Sequence, residues 1–461
     1  MSDNEAIRQH LNAAMVSLTE SKEKIDHAQD EIEYALTLLE DDGGGVVDPP
    51  IDPPPLGHDF TVNAGDDLLA IIMSAPSGST LLISPDYEGE LSHWTLTKTL
   101  TLKTSGPLSP YRTNPDIPMP VLRGFLEIMA PNVTLIGLRF ETPTKEGTAV
   151  TAGPWTTMER CVVMGSPEGA HRGILVNAND ITITGCHVGN IWRDIDTQAI
   201  AGWDGTRNLL IDDCFLEASG ENVLFGGSDC KNEESIPQDI TISGCHLYKP
   251  LEWRDKPGCT AKNLYEIKNG KRIQMLNCLL ENSWANGQTG FAIVLTVRNQ
   301  DNTNPFATIE DCLIEGCTTR NSAGGINVLG RDDTYPSKVM ARMTIRNNAL
   351  ENISYDFGGN GRQMQISGGP IDLVVENNIF SCLGVVNTLL TFDQPNVKQV
   401  GFIYRGNQGH EGEYGIMGTD APSPGVAVLD MYCPDGYVWE NNTVIDDGER
   451  DINYPPGTTV V

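Results

Sequence analysis

Basic residues are scarce in this 461-residue chain: 31 Lys plus Arg stand against 62 Asp plus Glu, a formal charge of −31. A surface so charged repels phosphate backbones, which excludes nucleic acid as a partner. It also repels a bare polyanionic sugar unless a divalent cation bridges the two. No stretch approaches 18 consecutive apolar residues, so no membrane span is expected. The opening MSDNEAIRQH has no basic segment followed by an apolar run, so no Sec signal peptide is expected. No CxxC pair occurs, which argues against zinc, and no metal site is expected.

What the chain does have is repetition. ITITGCHVGN (181–190) and ITISGCHLYK (240–249) are nearly the same ten residues, each with a cysteine in the same slot. Aligning on that slot adds Cys161, Cys214, Cys278 and Cys312 to Cys186 and Cys245. Further on asparagine takes the slot, at Asn348, Asn378, Asn407 and Asn442, and an early copy places Leu138 there. The spacings run from 23 to 36 residues, a period that means a solenoid. Each slot is flanked by two short alternating strands, and a third β run precedes the next slot, as in TQAIAGW, NLYEIKN and FAIVLTV. Three short strands per period describe one coil of a parallel β-helix, with coils stacked at about 4.8 Å. The slot then sits at an inward corner repeated in every coil, where asparagine amides hydrogen-bond along the stack and thiols fill a narrow apolar volume. The fold class is all-β, with about 11–12 coils over residues 58–461. Early strands around DLLAIIMSA and TLTLKTSG are expected to supply the cap and first coils. Cys230 and Cys259 stand outside the slot and are open to a disulfide between coils or to free thiols.

Two segments precede the body. In residues 1–42, Leu11, Leu18, Ile25, Ile32 and Leu39 recur every seven residues, with Ile7, Ala14, Ser21, Ala28 and Ala35 in the second seam. This a/d pattern predicts a coiled-coil helix that associates with copies of itself, without fixing the number of strands. Residues 43–57, within DDGGGVVDPPIDPPPLG, end the helix and form a semi-rigid spacer.

The slot asparagines, the stretch NLYEIKNGKRIQMLNCLLENSWANGQTGFAIVLTVRNQ and GGINVLGRDD resemble the right-handed parallel β-helix proteins of the pectate-lyase-like superfamily, over about residues 130–391. The resemblance implies three parallel sheets with a carbohydrate-facing groove along one of them. Many such proteins are polysaccharide lyases or hydrolases; others are bacteriophage tailspikes or related virion spikes. The lyases' calcium-binding aspartates and catalytic arginine have no residue-by-residue counterpart here. The heptad segment, the spacer and the β-helix together are similar to a phage spike, and that likeness implies a homotrimer joined through its N-terminal helices, an anchor contacting other virion proteins, a location on the virion surface, and a rod that meets host-surface polysaccharide. The chain ends soon after the Asn442 coil, so recognition is expected on the rod itself.

Candidate chemistry concentrates between Trp192 and Asp333. If Tyr265 and Ile267 face inward, Glu266 and Lys268 face out. If Phe291, Ile293, Leu295 and Val297 face inward, Thr296 and Arg298 face out. Glu266, Lys268 and Arg298 then cluster, with Asp229 and Asp332 one coil away. Glu266 paired with Asp229 or Asp332 could serve glycoside hydrolysis, which needs two carboxyls. Lys268 or Arg298 could instead be the base of a β-elimination. The competing reading is an ion-pair ladder on stacked strands. Trp203, Trp253 and Trp284 are candidate sugar platforms, or they pack loops onto the rod. His187 and His246 are expected to stack on each other. Calcium is the one cofactor left open, in the acidic turns RNQDNTNPF and GRDDTYPS, which lack the spacing of a defined calcium loop.

Overall fold

The computed structural model describes residues 58–461 apart from Tyr111 and Glu449. The heptad segment 1–42 and the spacer 43–57 lie outside the described residues.

The described residues wind into a parallel β-helix. One wall is a sheet whose path crosses fourteen parallel strands from Asp59–Val62 to Val438–Glu440. Three of those strands, Asp59–Val62, Ser79–Ile83 and Leu100–Thr104, come before any recognisable slot, so the coils outnumber the 11–12 expected. Thirteen steps of about 4.8 Å give a stack of roughly 60 Å. From Thr134–Ile136 onward each coil contributes two more strands to a second, bent sheet. The coil Gly270–Leu276, Leu279–Ser283, Phe291–Thr296 shows the unit. DLLAIIMSA is not a strand: Leu68–Ser74 is a short helix, started by Asp67 Oδ1 accepting from Ala70 N (3.0 Å). Leu68 and Ile72 are buried, closing the end of the core.

Alternation builds the interior. Ile183, Ile211, Ile242 and Met275 are register partners on successive strands, and all are fully buried. They belong to one continuous apolar core that runs the length of the coils. The partners in between, such as Thr182, Leu210 and Thr241, face away from it.

The corner explains the slot. The residue just before it is left-handed in every coil: Gly185 (φ 61°), Gly244 (58°), Asn347 (57°), Asn377 (56°), Gly406 (64°). Glycine and asparagine tolerate that conformation, which is why GC, NN and GN recur there. The slot side chain then turns inward. Asn348 N donates to Asn378 Oδ1 (3.0 Å), Asn378 N to Asn407 Oδ1 (2.9 Å) and Asn407 N to Asn442 Oδ1 (2.9 Å). Each amide nitrogen also donates to a backbone carbonyl of the preceding coil, as Asn378 Nδ2 does to Ile345 O (2.9 Å).

The thiols do more than fill volume. Cys186 Sγ accepts from Cys161 N and Cys245 Sγ from Cys214 N, each at 3.4 Å. Cys214 Sγ donates to Ile183 O at 3.6 Å. A thiol thus makes, weakly, the two contacts an asparagine amide makes.

One slot assignment is corrected. The column runs from Cys278 to Cys317, not to Cys312: Cys278 N donates to Cys317 Sγ (3.4 Å) and Cys317 N to Asn348 Oδ1 (2.9 Å). Cys312 precedes Leu313, the partner of Gln274 and Thr344, and so stacks between Ile273 and Met343. ATIEDCLIEGC contains two left-handed bends, Asp311 (φ 57°) and Gly316 (φ 67°), and only the second opens the ladder corner.

All eleven cysteines are free, Cys230 and Cys259 included. Cys230 Sγ accepts from Asn269 Nδ2 (3.4 Å), whereas Cys259 packs in a separate apolar cluster. His187 and His246 do not meet either. Phe215 lies between them, its ring 4.7 Å from His187 and 5.2 Å from His246. No helix among the described residues is long and apolar enough to cross a membrane.

Candidate functional site

The bent sheet carries the site on its outer face. Leu224, Glu266, Val294, Asn327 and Gln365 are register partners on five successive strands. Their neighbours Tyr265, Ile267, Ile293 and Leu295 fill the core, so this column faces outward. Lys268 follows Ile267 and stands beside Thr296, two residues along from Val294. Three loops rise around these strands and enclose a cleft of about 470 Å³. Glu266, Lys268, Val294 and Thr296 line its floor, and Gln288, Arg298, Asp332 and Tyr335 its sides.

The structure therefore brings Glu266, Lys268, Arg298 and Asp332 to one cleft. Glu266 faces away from the core yet is only 1% exposed. Its Oε2 accepts from Asn263 Nδ2 (2.8 Å), and Oε1 lies 3.7 Å from Lys268 Nζ. Burial pushes its carboxyl up to about 7, with the Lys268 ammonium opposing and the Glu221 carboxylate assisting. Arg298 is part-exposed and is paired through Nη1 with Asp333. Phe291, expected inside, is not part of the apolar core and lines the cleft.

Asp229 does not line the cleft. Its Oδ1 accepts from Gln300 N (2.7 Å); its Oδ2 accepts from Asp301 N (3.0 Å), Thr303 N (3.0 Å) and Thr303 Oγ1 (2.7 Å). Burial raises this carboxyl, but those donors, Thr303 foremost, outweigh it and hold it below the usual carboxylate range. Asp332 is bound in a similar way. Its Oδ2 accepts from Asn299 N (2.8 Å), its Oδ1 from Thr334 N (2.7 Å) and Tyr335 N (2.9 Å). It too is held low, the backbone donors outweighing its burial. Asp229, from outside the cleft, thus fixes the RNQDNTNPF turn, and Asp332 fixes its own GRDDTYPS turn. Among the described residues, no three or more His, Cys, Asp or Glu side chains are grouped to hold a metal.

The tryptophans separate into two kinds. Trp253 (4% exposed) and Trp284 (3%) are buried with Cys259 and Ala261, and Trp192 and Phe357 pack on them. They are loop-packing residues, not sugar platforms. Trp203 is part-exposed on the cleft-bearing face, with the Arg172 guanidinium 4.9 Å from its ring centre. Sequence reasoning missed a buried polar chain beside it. Arg172 Nε donates to Gln198 Oε1 (3.0 Å), Gln198 Nε2 donates to Glu221 Oε2 (2.9 Å), and Glu221 Oε1 lies 3.2 Å from Lys262 Nζ. Its only signal is one polar residue at the start of each third strand. Tyr335, also missed, sits in the DDTYPS turn, where an aromatic among small polar residues was the available signal.

No protein-family model matches the sequence, and no curated protein matches it. Solved structures do. A mannuronic-acid-specific family 6 polysaccharide lyase from the human gut microbiota aligns at 12% identity and TM-score 0.52, over 88% of this chain and 91% of its own. The catalytic domain of a GH87 alpha-1,3-glucanase in complex with tetrasaccharides aligns at 11% identity and TM-score 0.51, over 90% and 70%. The Dettilon tailspike protein aligns at 11% identity and TM-score 0.41, over 78% and 69%. At such identities the likeness to the lyase and the glucanase, each with a TM-score above 0.5, shows the fold alone, a right-handed parallel β-helix.

Proposed function

We propose that this chain is a virion spike or fibre protein of a bacteriophage, whose β-helix binds an acidic host-surface polysaccharide in the cleft. The cleft itself carries the glycan-binding part: two cations, Lys268 and Arg298, lie among sugar-sized walls that include Phe291 and Tyr335. Of the two carboxyls lining it, Asp332 is spent on backbone N–H groups and Glu266 holds its proton to about 7. Below that pH Glu266 leaves the Lys268 ammonium free to pair with an anionic sugar, although the chain carries −31. Calcium would bridge the remaining acidic surface to the glycan. The virion part rests on the heptad repeat and proline spacer, which would join three copies and hold them away from the particle.

The test has two measurements. Light scattering on the full chain should give a trimer, and on residues 58–461 a folded monomer; a monomeric full chain overturns the anchor. Titration with acidic capsular and lipopolysaccharide glycans should show binding that falls at least about tenfold in Lys268→Ala and Arg298→Ala. Binding that is unchanged in both overturns the cleft.

A second reading, a polysaccharide depolymerase, draws support from Glu266, a buried acid that titrates near neutrality in a cleft. With Asp229 outside the cleft and Asp332 spent, hydrolysis by two carboxyls has no free second member there. Elimination, with Lys268 as base and Arg298 neutralising a uronate, fits the lining better. Release of reducing ends or unsaturated sugars that Glu266→Gln and Lys268→Ala abolish would support this reading. Cleavage that survives both would place the chemistry elsewhere.

A further inference from the structure

The first sheet, the one opposite in role to the cleft-bearing sheet, has an outer face without charge along its middle. Its inward residues, such as Leu102, Ile183 and Val375, alternate with an outward column that runs in register from strand to strand. Of the fourteen strands on its path, the first places Asp59 in that column and every later one an uncharged residue. The column begins with threonines, from Thr80 to Thr182, and ends with Val374, Ile403 and Val438. Threonine suits an outward strand position in any surroundings. The adjoining outward column, however, carries Glu315, Arg346, Glu376 and Arg405, so charge is tolerated on this sheet. Those charges are paired along the stack, Arg346 Nε with Glu315 Oε1 (2.9 Å) and Arg405 Nη2 with Glu376 Oε2 (2.7 Å). At the corner on the other side Arg272 Nε meets Asp239 Oδ1 (2.6 Å) and Arg342 Nε meets Asp311 Oδ1 (2.5 Å). Leu210 in the column is 36% exposed, and Trp155, at the corner that opens the strand Thr157–Glu159, is 50% exposed. Trp155 is left-handed (φ 53°) at the place where the following coils put Asp180, Asn208 and Asp239. A bulky aromatic is a poor occupant of that conformation, and here half of it faces solvent.

We infer that this uncharged wall packs against the same wall of sibling copies, with the coil stacks parallel and in step. Charge selects the occupant. A chain of −31 repels its own copies, and this face, with its border charges already paired, is where two copies meet without that repulsion. Area sets the condition. From Thr80 to Val438 the column rises about 58 Å, and a breadth of about 10 Å gives roughly 600 Å² per copy. A standard stable interface buries about 800 Å² per partner. The wall is therefore too small to join free copies and is engaged once they are already linked, at the roughly millimolar effective concentration that a short linkage gives. The chain enters the stack on this same wall, since Asp59–Val62 is its first strand. Glu266 and the cleft lie on the other sheet and stay open to solvent and ligand when the walls meet. The inference rests on self-association through the heptad segment and names the surface that this association brings together.

The experiment uses the full-length protein. Val374→Cys, treated with a mild oxidant, should give disulfide-linked pairs on a non-reducing gel, because equivalent residues of parallel copies stand at one height. Glu351→Cys, exposed on the other sheet, and the native sequence should give none. Val374→Asp combined with Ile403→Asp should leave the mass by light scattering unchanged. In small-angle scattering the same double variant should show the mass per unit length falling about threefold, as like charges drive the stacks apart. The cross-link decides by itself should the double variant misfold. A native oligomer in which Val374→Cys does not cross-link, or cross-links no more than Glu351→Cys, overturns the wall alone. A monomeric full chain overturns the self-association and the wall together.

Discussion

Asn378 Oδ1 accepts two hydrogen bonds from the residue one coil below it, the backbone N–H of Asn348 at 3.0 Å and its Nδ2 at 2.9 Å. A single oxygen thus satisfies one corner backbone and one corner side chain in a region sealed from water. Asn378→Ala strands both donors and the Ile345 carbonyl, and should cost about 3 kcal/mol by urea denaturation. Asn378→Cys should recover part of it, because thiols fill the same role in the coils from Cys161 to Cys317. A loss no larger than that of an exposed control would show the ladder to be incidental.

Lys249 is a second buried device. It is fully buried, and its ammonium donates to Ala218 O (2.7 Å), Ser219 O (3.0 Å), Gly220 O (2.6 Å) and Asn222 Oδ1 (2.8 Å). Burial pulls it down to about 7 against the attraction of Glu221. Lys249→Met keeps the apolar stem but takes the ammonium donor from four oxygens, of which Ser219 O still accepts from Lys262 N (3.0 Å). It should lower the midpoint of thermal unfolding by an amount equivalent to about 3–5 kcal/mol. An unchanged midpoint would mean that water takes the vacated place.

Glu266 gives a signature in stability against pH. Its carboxyl, near 4.5 when exposed, is raised to about 7 in the folded protein. The folded state therefore binds the extra proton, and its contribution is full below pH 4.5 and lost as pH rises through 7. That contribution is about 3 kcal/mol. Denaturation across this window should show stability falling with pH in the native sequence and a flatter profile in Glu266→Gln. Matching slopes would contradict the buried, protonated carboxyl.

The thiols make a fourth prediction. Ten of the eleven cysteines are buried and Cys382 alone is part-exposed. A thiol reagent should modify about one cysteine in the folded protein and all eleven after denaturation. Rapid modification of several thiols under native conditions would show that the ladder opens.

The sequence by itself determined the coil. A residue that must be left-handed, followed by a small polar or thiol side chain, followed by alternation, is a local pattern, and stacking repeats it at one place in the cross-section. Its register puts Glu266, Lys268 and Arg298 on one face. Tertiary structure alone decided what depends on contacts between segments distant along the chain. Cys317 rather than Cys312 takes the ladder position, since both follow left-handed bends and only stacking distinguishes them. Trp284 is buried because the cluster around Cys259 closes over it, whereas Trp203 stays part-exposed beside a glycine of the next coil. Asp229 became a clamp because residues 300–303, more than seventy positions later, bring four donors to it. Periodicity assigns a residue to a face; a carboxylate's chemistry depends on which donors and charges the loops bring within about 3 Å of it.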